Sequence, residues 1–336
     1  MAQSNTIRQT LILVLKLSIT ALVVAVLIAK LGFQEIVFTI NKADPLWLLG
    51  AVAVFVFSAW LGVVQWRILL ANRGIPLPLG RAFRLYFIGL FFNNFVFGGF
   101  VGDAVKVASI HAEDKKGLAG FAATFLDRFA GLWAMCGFAV LGSIVLLRRG
   151  ALTNGKIDTA IIALLGAFTL FAVIMAFLVS KRLQDFFFGI TDRFAFTKKM
   201  KVREIISEML IEAHDLHLLV SVSLLSTAIQ FLRIGVHFLT AGSLGLLTTG
   251  NFQYFLIFIP IIAMLMTIPL PFGVREAAGG ALFALAGFPT GAAFVMNFLA
   301  SIVGIAASML GGLFFITGRI HLFGRKNEAV DSSPAV

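Results

Sequence analysis

Apolar runs long enough to cross a bilayer follow one another from residue 11 to residue 318, and two of them are broken by glycine or proline with an acid and a base just beyond. In hydrocarbon every backbone N–H and C=O has to be satisfied within the protein, so such runs fold as helices; irregular backbone survives only buried in protein or against a wet cavity. The two breaks are therefore the most constrained places in the chain. The first is Asn93-Asn94-Phe95-Val96-Phe97-Gly98-Gly99-Phe100-Val101-Gly102-Asp103-Ala104-Val105-Lys106, and the second is Thr267-Ile268-Pro269-Leu270-Pro271-Phe272-Gly273-Val274-Arg275-Glu276. Charged residues make up 13% of the 336 residues, about half the usual share of a soluble domain. The expected class is an all-α polytopic membrane protein.

The runs set the expected topology. The first, 11–31, is longer than a signal-peptide core and has no Ala-x-Ala site behind it, so it reads as an uncleaved span. A second span covers 45–66, with Trp47 and Trp66 placed as interface anchors. Residues 71–84, with Arg73, Arg81, Arg84, Pro76 and Pro78, read as a loop. The short run 85–100 enters the first break. Spans follow at 117–147 and 157–180, then a mixed-charge segment, 181–215, whose Val202, Ile205, Ile206, Met209 and Leu210 make a helical apolar stripe. The run 216–247 is the next span, 252–270 and 276–288 flank the second break, and 289–318 is the last span. This gives six full transmembrane helices plus two re-entrant broken hairpins of opposite orientation, an inverted-repeat-like arrangement within one membrane domain (1–320). The polar tail, 321–336, follows it.

The net charge of +11 would suit nucleic acid, but in a polytopic chain basic residues mostly encode orientation. With both termini cytoplasmic and both hairpins returning to their own side, 17 of the 27 Lys and Arg fall inside, five outside and five within or at the ends of spans. Full crossing at the first break would put the basic segment 181–215 outside, so the re-entrant reading is preferred. No nucleic-acid partner is expected, self-association stays open, and the plasma membrane is the expected location.

A charge near the middle of a bilayer costs about 2.5 to 3.5 kcal/mol on insertion scales, so each charged side chain in these runs needs a partner or a cavity. Asp103 and Lys106, three residues apart, share a helix face, and the amides freed by Gly98, Gly99 and Gly102 lie at that helix's N-terminus, where an anion is favoured. Arg275 and Glu276 point about 100° apart on a helix, which predicts a partner elsewhere for each. Asp127 and Arg128 pose the same problem, with Asp103 or Glu276 as partners for Arg128. Gln230, Arg233 and His237 form a polar stripe on one face of an apolar helix. Asn94, Asn93 and Asn297 are weaker candidates, and Pro269, Pro271 and Gly273 make the second break. Each group also has a bland reading as interhelical hydrogen bonding or structural ion pairing. Arg67 is read as a snorkelling interfacial side chain.

The chain contains no Walker-type phosphate loop, no His-Glu-x-x-His and no Gly-x-Ser-x-Gly. The single cysteine, Cys136, allows no internal disulfide, and the five histidines are scattered. Neither a cofactor nor a metal is expected, and the chain is expected not to be an enzyme.

Asn93-Asn94 with Gly98-Gly99, Gly102-Asp103-Ala104-Val105-Lys106, Asp127-Arg128 with Gly131-Leu132, and Pro269 through Gly273-Val274-Arg275-Glu276-Ala277 together resemble the lysylphosphatidylglycerol synthase transmembrane-region family, the flippase-like domain proteins. The resemblance covers nearly the whole chain. It implies a bacterial or archaeal membrane protein that moves a polar-headgroup lipid between leaflets. Two departures stand out: a proline common before the Gly-Gly pair is absent, and Lys106 stands where arginine is common, which forgoes bidentate phosphate geometry. No segment resembles the soluble aminoacyl-transferase domain of the bifunctional members, so lipid synthesis is not implied. Under this reading Lys106, Arg128, Arg233 and Arg275 bind headgroup phosphate, while Asp103, Asp127 and Glu276 neutralise them or meet a cationic headgroup. The alternatives are a membrane enzyme acting on a lipid-linked substrate and a non-transporting subunit of a lipid-handling complex.

Overall fold

Two aspartates start two of the long helices of the bundle. Asp44 accepts the Leu46 amide at 2.8 Å and precedes Pro45 at the first helical position; Asp215 accepts the Leu218 amide at 3.0 Å. Both satisfy amides that a helix start leaves orphaned. The computed structural model describes residues 33–95, 100–148, 215–248, 250–265 and 273–317, with isolated positions between 162 and 186. In chain order the elements are α1 (Phe33–Asn41), α2 (Pro45–Asn72), α3 (Leu79–Phe95), α4 (Val101–Asp114), α5 (Gly117–Arg148), α6 (Leu216–Ser243), α7 (Phe252–Leu265), α8 (Val274–Leu285) and α9 (Thr290–Thr317). Among the described residues there is no strand.

Four of these helices, α2, α5, α6 and α9, are long and apolar enough to cross a membrane. At 28 residues a helix measures about 42 Å, against a hydrocarbon core of about 30 Å. They correspond to four of the six expected spans. The first span, nearly all of 157–180 and of the amphipathic segment 181–215, and the polar tail lie outside the described residues, as do Gly98, Gly99, Pro269 and Pro271.

The order of elements recurs. A long helix, two short ones around a break and a long one appear as α2, α3, α4, α5 and again as α6, α7, α8, α9. The halves exchange contacts reciprocally, because α5 packs on α7 of the second half and α9 packs on α3 of the first. At both exchanges a glycine allows the approach. A Cβ on Gly142 would stand 2.7 Å from Leu256 Cβ, and one on Gly311 would stand 1.9 Å from the Phe87 carbonyl oxygen. The equivalent helices α2 and α6 pack extensively and run antiparallel. The Asp44 amide donates to the Ser243 carbonyl at 2.9 Å near one end, and Ser226 Oγ donates to Gln65 at 2.9 Å towards the other.

Apolar packing is organised around the two breaks. Trp66, Leu69, Leu70, Leu85 and Phe87 surround α3 and α4. Phe255, Phe258, Phe283 and Phe288 surround α7 and α8, with tilted and edge-on rings 4.9 to 6.1 Å apart, an arrangement that favours aromatic pairs.

Two sequence expectations are corrected. Trp66 is not at an interface but wholly buried, because α2 continues to Asn72 and the apparent end of the apolar run is only Arg67, whose Nε donates to the Leu77 carbonyl at 2.8 Å. The expected loop 71–84 is shorter: α3 starts at Leu79, so Arg81 and Arg84 are helical. Arg81 pairs with Glu113 and Asp114 at 2.8 and 2.9 Å, tying α3 to the end of α4.

Candidate functional site

Helix α4 starts immediately after the first break, without a side-chain cap, and carries Asp103 in its first turn. It lies flat against α3 at a glycine pair. A Cβ on Gly102 would come within 1.7 Å of the Gly89 carbonyl oxygen, so nothing larger than glycine fits that contact. The Gly102 amide donates to Asn93 Oδ1 at 2.8 Å, which satisfies one of the N–H groups that the start of α4 leaves without an intrahelical partner.

This contact delivers Asp103 into an ionic cluster. Lys106 Nζ lies 2.9 Å from Oδ1 and Arg128 Nε donates to Oδ2 at 2.8 Å, so one carboxylate serves two cations. Lys106 is 4% exposed and its ammonium lies 4.8 Å from the Tyr86 ring centre and 5.2 Å from that of Trp66. The two rings supply cation–π contact where water is excluded. Trp66 in turn donates to Thr124 Oγ1 at 3.0 Å. Beside Arg128, Asp127 accepts from Gln65 Nε2 at 2.9 Å, and Gln65 accepts from Ser226. The first cluster thus joins α2, α3, α4, α5 and α6.

The second break ends at Gly273, whose φ of +93° suits glycine. Glu276, 1% exposed, folds back so that Oε2 accepts the Gly273 amide at 2.8 Å. Its Oε1 accepts from Ser301 Oγ of α9 at 2.6 Å and from Arg275 Nε at 3.0 Å, and Arg275 also donates to Ser301. The expectation for Arg275 and Glu276 is corrected in part: both reach Ser301 on another helix, but they also pair with each other. The carboxylate turns towards the helix start, and the long arginine stem closes the remaining angle.

The two clusters correspond position by position. Asp103 and Glu276 are each third in their helix, in Val101-Gly102-Asp103-Ala104 and Val274-Arg275-Glu276-Ala277. Their partners Arg128 and Ser301 are each twelfth in the long helix that follows, and each of those helices has a glycine three residues on, Gly131 and Gly304. Asn94 Nδ2 reaches the Gly304 carbonyl at 3.4 Å, a long bond that joins the first break to α9.

Helix α6 joins both clusters through its polar stripe. Gln230 is 93% buried, with its amide against Gly131, where a Cβ would stand 2.6 Å from Nε2. Arg233 lies within electrostatic reach of Asp127 and Tyr86. His237, one turn on, is within reach of Arg275 and Glu276. Arg233 Nε and His237 Nδ1 are buried with no hydrogen-bond partner. The stripe spans about 10 Å along the helix axis.

The structure thus gathers Asp103, Lys106, Asp127 and Arg128 at the first break and Arg275 and Glu276 at the second, with Gln230, Arg233 and His237 between them. Asn94 sits at the margin. Of the two short helices, α4 packs on α3 and α5, and α8 packs on α7 and α9. Sequence reasoning passed over Gln65, Tyr86, Ser226 and Ser301, all polar or aromatic groups inside apolar runs, and placed Trp66 at an interface. The third-position acid followed by the twelfth-position partner was the signal that could have found Ser301. Among the described residues no group of three or more His, Cys, Asp or Glu is arranged to hold a metal.

A family model described as the lysylphosphatidylglycerol synthase TM region matches residues 13–320 of the chain. No curated protein and no solved structure matches it.

Proposed function

Since the chain belongs to the lysylphosphatidylglycerol synthase transmembrane-region family, we propose that it is a lipid translocase, moving a polar-headgroup lipid between leaflets along the face of α6 while the acyl chains stay in the bilayer. One observation carries the reading: a row of polar side chains runs between two ionic clusters inside an apolar bundle, and it holds buried nitrogens that no protein group satisfies. Buried donors and acceptors left unpaired cost about 1–3 kcal/mol each, a cost that a purely structural stripe would relieve by bonding to neighbouring helices. A headgroup, with water around it, relieves it here.

Three supports stand beside that row. The reciprocal packing of antiparallel halves is the arrangement expected of an inverted repeat, whose substrate site lies at the interface of the halves beside interrupted helices. The paired breaks fit two re-entrant hairpins entering from opposite faces. The bias of Lys and Arg fits cytoplasmic termini in a plasma membrane. The reading requires no covalent chemistry, and nothing in the sequence has the form of a nucleotide-hydrolysing loop. Movement is then passive or coupled to an ion gradient.

The test is leaflet accessibility of labelled lipid in proteoliposomes. Wild-type protein is expected to exchange lipid faster than empty vesicles, and Asp103→Asn and Arg275→Ala to slow that exchange at least tenfold. Exchange no faster than in empty vesicles overturns the proposal. A covalently altered lipid found by mass spectrometry would replace it with the enzyme alternative.

A further inference from the structure

The two halves can be laid on each other helix by helix. Asp44 and Asp215 each cap a helix of 28 residues, so α2 and α6 share a register in which Trp66 and His237 are both twenty-second. In α5 and α9 the eighth residues are Thr124 and Asn297. In α4 and α8 the sixth residues are Lys106 and Gly279. In the first half these positions make a closed contact: Trp66 Nε1 donates to Thr124 Oγ1 at 3.0 Å, and the Lys106 ammonium lies 5.2 Å from the centre of the same ring.

The second half carries the parts of that contact without the bond. His237 Nδ1 and Asn297 Oδ1 are buried, and among the described residues neither has a hydrogen-bond partner. Asn297 is 3% exposed, and its Nδ2 donates to the Ala293 carbonyl at 2.8 Å. That bond fixes the amide and leaves Oδ1 as the acceptor, lodged against Gly279. Both groups flank the same acid: Ser301, one turn beyond Asn297 on α9, donates to Glu276, and His237 is within reach of the Glu276 charge. A ring N–H and a carboxamide oxygen are complementary. The reach is matched as well, since a long indole meets a short hydroxyl in the first half and a shorter imidazole faces a longer amide in the second. Because both atoms are sealed from solvent where they stand, a movement of the chain has to satisfy them.

We propose that His237 and Asn297 form a latch: α6 closes on α9 through a bond from His237 Nδ1–H to Asn297 Oδ1, as α2 is already closed on α5 through Trp66 and Thr124. The inference rests on the translocase reading and says how its α6 face is gated. In the conformation described here the bond is unmade; in the opposite one the imidazole turns to α9 and shuts the face. A headgroup passing along α6 meets that ring only while the latch is undone. The difference between the halves has a cause in sequence. Lys106 holds the Trp66 ring by cation–π contact, whereas Gly279 has no side chain to hold His237, so the second contact is free to form and break. Exchange of access between the two sides of a repeat interface calls for such a contact.

The test places a second imidazole in the latch. In Asn297→His, closure brings that ring beside His237, and two imidazoles share a zinc ion. Zinc is titrated against the full chain in detergent, and lipid exchange in proteoliposomes is followed with and without it. Asn297→His is expected to bind zinc at least tenfold more tightly than wild type and than Asn297→His combined with His237→Ala. Its exchange is expected to slow at least tenfold with zinc and to recover with a chelator. Equal zinc binding by the three proteins overturns the proposal, as does tight binding that leaves exchange unchanged. Should Asn297→His elute as aggregate, His237→Cys with Asn297→Cys in a Cys136→Ser chain decides: crosslinking by a short bis-methanethiosulfonate supports the latch, and its absence overturns it. If wild-type protein exchanges no lipid, the translocase reading fails, while the zinc titration still decides whether the two side chains meet.

Discussion

The two breaks place an acid at the same point of a short helix and a partner at the same point of the next long helix, yet they are built with opposite reserves. At the first, Asp103 holds two cations, and one of them, Lys106, is sealed beneath Trp66 and Tyr86. At the second, Glu276 holds one cation, a hydroxyl and a backbone amide, and Arg275 remains a quarter exposed. The first acid therefore neutralises an ammonium sealed from solvent, whereas the second mainly completes the hydrogen bonding of a helix start. Equivalent positions in the two halves have been put to different physical uses.

The largest effect expected from that difference is on removal of the acids. Asp103→Ala strands Lys106 in a site without water and should cost about 3–5 kcal/mol. Glu276→Ala lets Arg275 turn towards its exposed side and should cost about 1.5–3 kcal/mol. Thermal unfolding of the purified variants in one detergent measures both, and the reverse order would break the comparison. Next in size are the glycine contacts. Gly102→Ala drives a methyl into the Gly89 carbonyl and should cost about 1–3 kcal/mol or more. Gly279→Ala meets only the Asn297 side-chain amide, at 2.6 Å, which can swing aside, so its cost should fall at the low end of that range; the same unfolding measurement ranks them. The smallest effect is Ser301→Ala, about 1 kcal/mol, because Arg275 and the Gly273 amide still hold Glu276. A double-mutant cycle of Ser301 with Glu276, set against one of Arg128 with Asp103, sharpens the contrast. The second coupling should exceed the first.

Much of this was legible in the residues. Asp103, Lys106, Arg128 and Glu276 stand out because a charge inside an apolar run has to be compensated, and the breaks stand out because unwound backbone in hydrocarbon has to be buried or wetted. Four of the expected spans are long helices here, since apolar length alone decides them. The pairing was less legible. Arg275 and Glu276 were assigned partners elsewhere from their backbone directions, but side chains of three and four methylene-scale bonds bend further than Cβ vectors suggest. Trp66 was misplaced because a single arginine looked like the end of a span, while helix propagation through Leu69 and Leu70 carried α2 on to Asn72. Gln65 and Ser301 left no mark, because one amide or hydroxyl in a membrane helix serves equally as interhelical glue.

The contact between Gly102 and Gly89 bears on where this molecule can give way. Backbone touches backbone there, with the Asn93 bond beside it, so α3 and α4 shift as one piece. The corresponding helices α7 and α8 meet through the rings of Phe255, Phe258 and Phe283, surfaces that slide past one another without breaking a hydrogen bond. The join between the short helices is therefore lopsided, backbone against backbone in the first half and ring against ring in the second.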